Sequence, residues 1–300
     1  MIENNYYHMF ANGADAKNFI ISESDFIAAF NRIGVCAYSC NVTVVAASVE
    51  DTHPHVLLYG GFEQCKIFKS MYESMSLRYI GRRRDSSYAV KLKCELLKIE
   101  DDAYLKNVAA YTIVQATKDG KAIMPYDYLY GTGALYFRSP HTVLPWLVDA
   151  QGNILKPVRF AELTMKARRA ICCSRVFVPD DWIVCNGIIL PTNYVDINRF
   201  ERIFKTHNCF RAFLCSGKKN DAMVLNAMAE ARGLAMDDFE ARTVCASLCK
   251  QKYGVQSSKF LNMQERLLLA QDLRSQYHLG YRQIAFLSRL PEFELKKYVR

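Results

Sequence analysis

The sequence predicts an α+β protein: an antiparallel sheet with helices packed on it, then a mixed region, then an all-helical C-terminal domain. Three observations carry that expectation. Strand-like and helix-like stretches follow one another in the order strand, helix, strand, strand, helix, strand, helix as far as Val114. Residues 132–220 mix short apolar runs with Pro140, Pro145, Pro157, Pro179 and Pro191. Residues 221–300 read as helices throughout. The expected domains are therefore 1–131, 132–220 and 221–300, and a chain of 300 residues is long enough for more than one.

Residues 6–10 read as the first strand, closed by Asn12-Gly13. Ser22 or Ser24 can cap a helix with Asp25 in its first turn. Phe26, Ile27, Phe30 and Ile33 give that helix its apolar stripe, and Gly34 marks its expected end. The β-branched, apolar run 35–47 predicts a buried strand. After the polar turn 48–52, residues 53–59 predict its hairpin partner, broken by Gly60-Gly61. Residues 65–83 predict a helix, with Ile67, Met71, Met75 and Tyr79 at four-residue steps. Residues 86–97 read as a strand region. Asp101-Asp102 then opens a helix to about Val114, because acids favour a helix N-terminus. Asn186-Gly187, between 182–185 and 188–190, is a hairpin signal.

In the last part, helices are expected at 221–232, 237–252 and 263–276. His278-Leu279-Gly280 then leads to a short helix from Tyr281, a tight turn at 288–291 and a final helix at 292–299. This reads as a helix-turn-helix, or as a small bundle that only packs. Glu292 and Glu294 on the last helix would repel phosphates.

Composition narrows the classes. The chain is 51% hydrophobic and 23% charged, which is globular. No apolar run approaches the roughly 20 residues that span a bilayer. The polar start Met1-Ile2-Glu3 is not a secretory leader, so the cytoplasm is the expected location. Eleven cysteines without a Cys-x-x-Cys pair are expected to be reduced and mostly buried, not a zinc site. Charge is uneven: residues 1–150 hold 15 Lys+Arg against 16 Asp+Glu, a net of −1, and 151–300 hold 24 against 14, a net of +10. That split suggests a chemical domain followed by a polyanion-binding one, the alternative being a merely basic surface.

His53-Pro54-His55 is the chemical focus. Strand side chains alternate faces, so both imidazoles point one way, which is half of a divalent-metal site. Two unrelated surface histidines are the bland alternative. Tyr111 and Gln115 are four residues apart and share a helical face. A core stripe of Tyr104, Val108 and Tyr111 would need no function. Arg82, Arg83 and Arg84 suit phosphate contact, or a solvated helix end.

These blocks carry a family resemblance. Residues 6–131 resemble the single-tyrosine HUH transposases, especially the REP-associated tyrosine transposases. Tyr7-His8-Met9-Phe10-Ala11-Asn12-Gly13 is similar to that family's opening strand, Tyr-His-Val-Phe-Asn-Arg-Gly. Asp51-Thr52-His53-Pro54-His55-Val56-Leu57-Leu58 stands where the family has Pro-Asn-His-Val-His-Leu-Leu. Met71 to Arg84 resembles the helix that follows. Residues 111–120, from Tyr111 to Gly120, are similar to Tyr-Ile-x-x-Asn-Pro-Val-Arg-Ala-Gly. Two positions depart. Pro54 replaces a bulky apolar residue, and a proline must sit at an edge, a strand start or a bulge. Gln115-Ala116 replaces Asn-Pro, and a glutamine there resembles the third metal ligand of the insertion-sequence branch.

The resemblance implies a ferredoxin-like HUH domain in which Tyr111 attacks DNA and forms a phosphotyrosine. His53, His55 and Gln115 would hold Mg²⁺ or Mn²⁺, which suits mixed N/O ligands. The implied partner is single-stranded or hairpin DNA; Arg82, Arg83, Arg84 and Lys118, and Arg282, Lys296 and Lys297 in the helical tail, are the candidate phosphate contacts read from the residues themselves. The same features also fit a relaxase or replication initiator, or a non-catalytic domesticated DNA-binding protein. They imply no membrane partner and allow a homodimer.

Overall fold

In the computed structural model, which describes residues 3–11, 19–83, 92–118, 121–139, 141–173, 176–215, 223–225, 227–228, 238–277 and 279–299, the chain divides into two units, Met1–Asp221 and Ala222–Arg300. The first unit begins β1 (Asn5–Ala11), α1 (Glu23–Cys40), β2 (Thr43–Val49), β3 (Pro54–Gly60), α2 (Phe62–Arg83), β4 (Cys94–Ile99) and α3 (Asp102–Lys118). The four strands pair antiparallel in the order β2-β3-β1-β4, so the α+β expectation holds. The expected turn at Asn12-Gly13 and the start of the expected strand region at 86–91 lie outside the described residues.

Period-two alternation sorts the sheet into two faces. Tyr7 pairs with Leu58 and Met9 with Val56, and these four are buried on one face. That face carries α1 and α2: Phe62 lies 6.0 Å from the Tyr7 ring, and the Tyr72 hydroxyl donates to Ala29 O at 3.3 Å. His8 pairs with Leu57 and Phe10 with His55 on the opposite face, which carries α3.

One expected boundary is corrected. The first helix does not end near Gly34, and no strand begins at Val35. α1 continues to Cys40, where Asn41 adopts a left-handed conformation (φ 51°) and its N–H bonds back to Ala37 O and Tyr38 O. Val35, Cys36 and Ala37 are buried on the helix. Gly34 is not a stop signal. A Cβ there would stand 2.8 Å from ring atoms of Tyr194, so the glycine lets another segment approach the helix.

That segment belongs to the mixed region, which lies within the first unit: β5 (Val158–Arg159), α4 (Met165–Cys172), β6 (Ile183–Cys185), β7 (Ile188–Ile189), α5 (Ile197–Phe204) and α6 (His207–Cys215). Asn186 (φ 46°) and Gly187 (φ 79°) turn β6 into β7, the hairpin expected there. Asn31 of α1, buried, clamps this hairpin. Its amide donates to Gly187 O at 2.7 Å and to Ile171 O at 3.3 Å, and its Oδ1 accepts from Ile189 N at 2.8 Å.

The mixed region also covers the outer edge of β2. Val49 N donates to Tyr130 O, Thr132 N to Ala47 O, and Asp196 N to Val44 O, each at 2.9 Å. An uncovered edge strand presents unpaired donors and acceptors, so these bonds close the sheet. Tyr136 fastens the cover: its hydroxyl donates to Val45 O at 2.7 Å, and its ring stacks on Phe200 at 3.6 Å.

The described residues of the second unit hold helices Asp238–Tyr253, Met263–Ser275, Tyr281–Ser288 and Glu292–Tyr298. Their shared core includes Leu248, Leu269, Leu273, Ile284, Leu290 and Leu295. Arg289 turns the last two helices with φ 60°. The expected helix 221–232 falls mostly outside the described residues. The cysteines whose side chains are described are free thiols. Among the described residues, no helix is long and apolar enough to cross a membrane.

Candidate active site

Pro54 opens β3 opposite Val49, a strand-start position where a missing N–H is tolerated. His53 therefore stands just before the strand and His55 inside it. Both imidazoles turn to the α3 face. Each ring has its Nδ1 engaged: His53 by Thr52 Oγ1 at 2.7 Å, and His55 by His8 Nε2 at 3.2 Å. The two Nε2 atoms then converge to 3.0 Å.

That separation has a chemical meaning. Two nitrogen ligands about 2.1 Å from one metal ion, at a right angle, stand about 3.0 Å apart. One proton or one cation between them relieves the repulsion of two lone pairs. Ligating histidines ordinarily have the other ring nitrogen held by a neighbour, as Thr52 and His8 do here. The donor set thus fits a divalent ion at the Nε2 pair. Among the described residues, no three His, Cys, Asp or Glu side chains gather around a point.

α3 supplies the remaining candidates. The Tyr111 ring lies edge-on to His55, with centroids 5.3 Å apart and planes at 83°. Tyr111 is buried, and so is Gln115 one turn on. The Gln115 Nε2 donates to Tyr111 O at 3.0 Å, so its described hydrogen bond runs into its own helix, not to an imidazole. The bond assigns the nitrogen and leaves Oε1 as the end suited to a cation.

Behind the pair, Ser48 sits opposite His55 and donates to Glu50 Oε1 at 2.6 Å. Glu50 is 1% exposed and pairs with Lys121 Nζ at 2.9 Å, while Asp51 approaches the same ammonium to 3.2 Å. Burial works against the charge on Lys121, but Glu50 and Asp51 outweigh it and hold the ammonium above its ordinary range.

The other expected contacts are dispersed. Arg82 and Arg83 end α2, on the opposite face of the sheet, and no described contact joins them to His53, His55 or Tyr111. Arg83 donates to Ser24 Oγ at 3.1 Å and to the Tyr79 hydroxyl. Lys297 is exposed near the end of the chain, its ammonium 5.1 Å from the Tyr298 ring centre. Arg84 and the side chains of Lys118, Arg282 and Lys296 lie outside the described residues.

Sequence reasoning passed over His8 and Thr52 as parts of the site. His8 shares a strand face with Phe10, and pairing β1 against β3 would have aimed it at His55. Thr52 carried no signal beyond standing next to His53. No protein family, no curated protein and no solved structure matches this chain.

Proposed function

We propose that the chain is a single-tyrosine DNA strand transferase of the HUH type, cleaving and rejoining single-stranded or hairpin DNA in the cytoplasm. The observation that carries the reading is the Nε2 pair at 3.0 Å with the Tyr111 ring edge-on beside it. The strand order β2-β3-β1-β4 adds support, since it is the order expected of the split βαβ, ferredoxin-like arrangement that the resemblance implies. His53, His55 and the Gln115 oxygen would hold Mg²⁺ or Mn²⁺, which supplies Lewis-acid polarisation of a phosphate oxygen.

The chain's own residues do the rest. Tyr111 Oη attacks phosphorus and forms a phosphotyrosine; the 3′ oxygen leaves and takes up the proton that the phenol gives up. Because one ester replaces another, the reverse step can join a second strand. Thr52 and His8 keep the two imidazoles aimed. The basic second unit would add phosphate contacts.

The test is a labelled single-stranded oligonucleotide carrying the hairpin that flanks the gene, incubated with Mn²⁺ and run on a denaturing protein gel. Wild type is expected to give a covalent protein–DNA band that Tyr111→Phe abolishes while binding persists. A band that survives in Tyr111→Phe would assign the attack to another tyrosine. No band from wild type on any hairpin favours a non-catalytic DNA-binding protein, the reading that the departure at Pro54 favours.

A further inference from the structure

The face of the first unit opposite the histidines carries a cleft of about 1150 Å³ between the end of α2 and α4. Arg78, Arg82 and Arg83 line one side and Arg169 the other, with Tyr79 and Cys173 between them. The described lining contains no Asp or Glu. Guanidinium groups match phosphate oxygens in a planar fork, and four of them in one cleft make a strong anion site. The space exceeds the 300–1,000 Å³ usual for small-molecule sites, so an extended ligand fits it better than a lone phosphate.

A second, independent observation lies behind the wall. Arg32 of α1 is 1% exposed; its guanidinium reaches the Cys173 thiol, but among the described residues its Nε and Nη1 have no hydrogen-bond partner. Its Cζ stands 4.9 Å from the centre of the Tyr79 ring. It also lies against the Cys173 thiol, whose pKa burial raises and Arg32 draws back down. A buried guanidinium with unused donors is costly, and an anion beside it offsets that cost. Asp25, the acid near Tyr79 and Arg83, is buried and accepts from Ile21 N at 3.0 Å. Tyr79 offers an aromatic face, and Arg83 is held in place by Tyr79 and Ser24.

We infer that this cleft is a second nucleic-acid site, which holds the phosphodiester backbone of a single strand on the face of the sheet away from Tyr111. The inference rests on DNA being the substrate, as proposed above, and it assigns a path for strand leading to or from the reacting phosphate. It also gives a role to arginines that the active site does not use.

Arg82 and Arg169 are exposed and make no hydrogen bond or ion pair among the described residues, so Arg82→Ala/Arg169→Ala should fold normally. The experiment is filter binding of a labelled oligo(dT) to the full chain, in EDTA, across a series of salt concentrations. The double variant should bind roughly tenfold more weakly at 0.15 M salt, with a log–log salt slope shallower by about 1.4, or 0.7 per lost phosphate contact. A control pair outside the cleft, Lys166→Ala/Arg202→Ala, should leave both quantities near wild type. Unchanged affinity in the cleft variant, or an equal loss in the control pair, overturns the assignment. A loss seen only with duplex DNA overturns it too. EDTA removes cleavage from this measurement, so the outcome is independent of the covalent band. A wild-type band with unaltered binding by the cleft variant would sink the cleft and leave the transferase standing; the opposite pair of results would do the reverse.

Discussion

His8→Phe is the substitution that asks most of the site. His8 is fully buried, its ring stacked on His55 with centroids 5.4 Å apart and planes at 24°, and it lies 4.9 Å from the Phe10 ring. Phenylalanine keeps that stack and removes the nitrogen that engages His55 Nδ1 at 3.2 Å. The buried His55 then has one ring nitrogen without its partner, which costs about 1–3 kcal/mol of stability. The same loss frees the imidazole to tilt away from His53. Removing such a support typically weakens metal binding 10–100-fold, or about 1.4–2.7 kcal/mol. Calorimetric titration with Mn²⁺ reads the affinity, and a thermal melt in EDTA reads the stability. His8→Gln can still offer an acceptor and should recover part of the affinity. If folded His8→Phe binds Mn²⁺ within twofold of wild type, the His8–His55 contact is packing alone and the argument from the converging Nε2 atoms is wrong.

Two further outcomes test the fold around the site. Asn31→Ala should destabilise the first unit by about 3 kcal/mol or more, because it strands Gly187 O, Ile171 O and Ile189 N together; urea unfolding monitored through tryptophan measures it. Lys121 has its pKa raised above 10.5, so the stability it shares with Glu50 and Asp51 is complete below that pH and declines as pH rises beyond it. Melting temperatures from pH 8 to 11.5 should fall more steeply above about pH 10.5 in wild type than in Lys121→Met.

Much of the sheet was legible where a strand carried local punctuation. Gly60-Gly61 closes β3, and alternation of Tyr7 and Met9 with His8 and Phe10 marks two faces. The His53–His55 proximity followed from the same period of two, a property of neighbours in sequence. The end of α1 was not legible, because Gly34 and the β-branched Val35 imitate a helix stop and a strand start. The true stop is Asn41, whose left-handed conformation satisfies carbonyls one turn back. His8 was missed because its meeting with His55 depends on strand register, which only the assembled sheet fixes. Gln115 was legible as a neighbour of Tyr111 but not in its orientation, since either end of the amide could have faced the helix. The arginine cleft joins residues about ninety apart in sequence, and no local pattern links Arg78 to Arg169.

The covered edge of β2 has a consequence for how the protein is made. During synthesis the sheet is complete in sequence by Ile99, yet the groups that close its edge arrive with Tyr130, Thr132 and Asp196. At ordinary translation rates of 5–20 residues per second, the stretch from Ile99 to Asp196 takes roughly 5–20 s to emerge. For that interval β2 is an open template, rich in valine and alanine, of the kind that pairs with other nascent chains. The edge of the sheet therefore stays open for longer than the sheet itself takes to be synthesised. A chain ended at residue 131 would keep this vulnerability for good, with Asn31 facing water where the hairpin should be, and should collect in inclusion bodies.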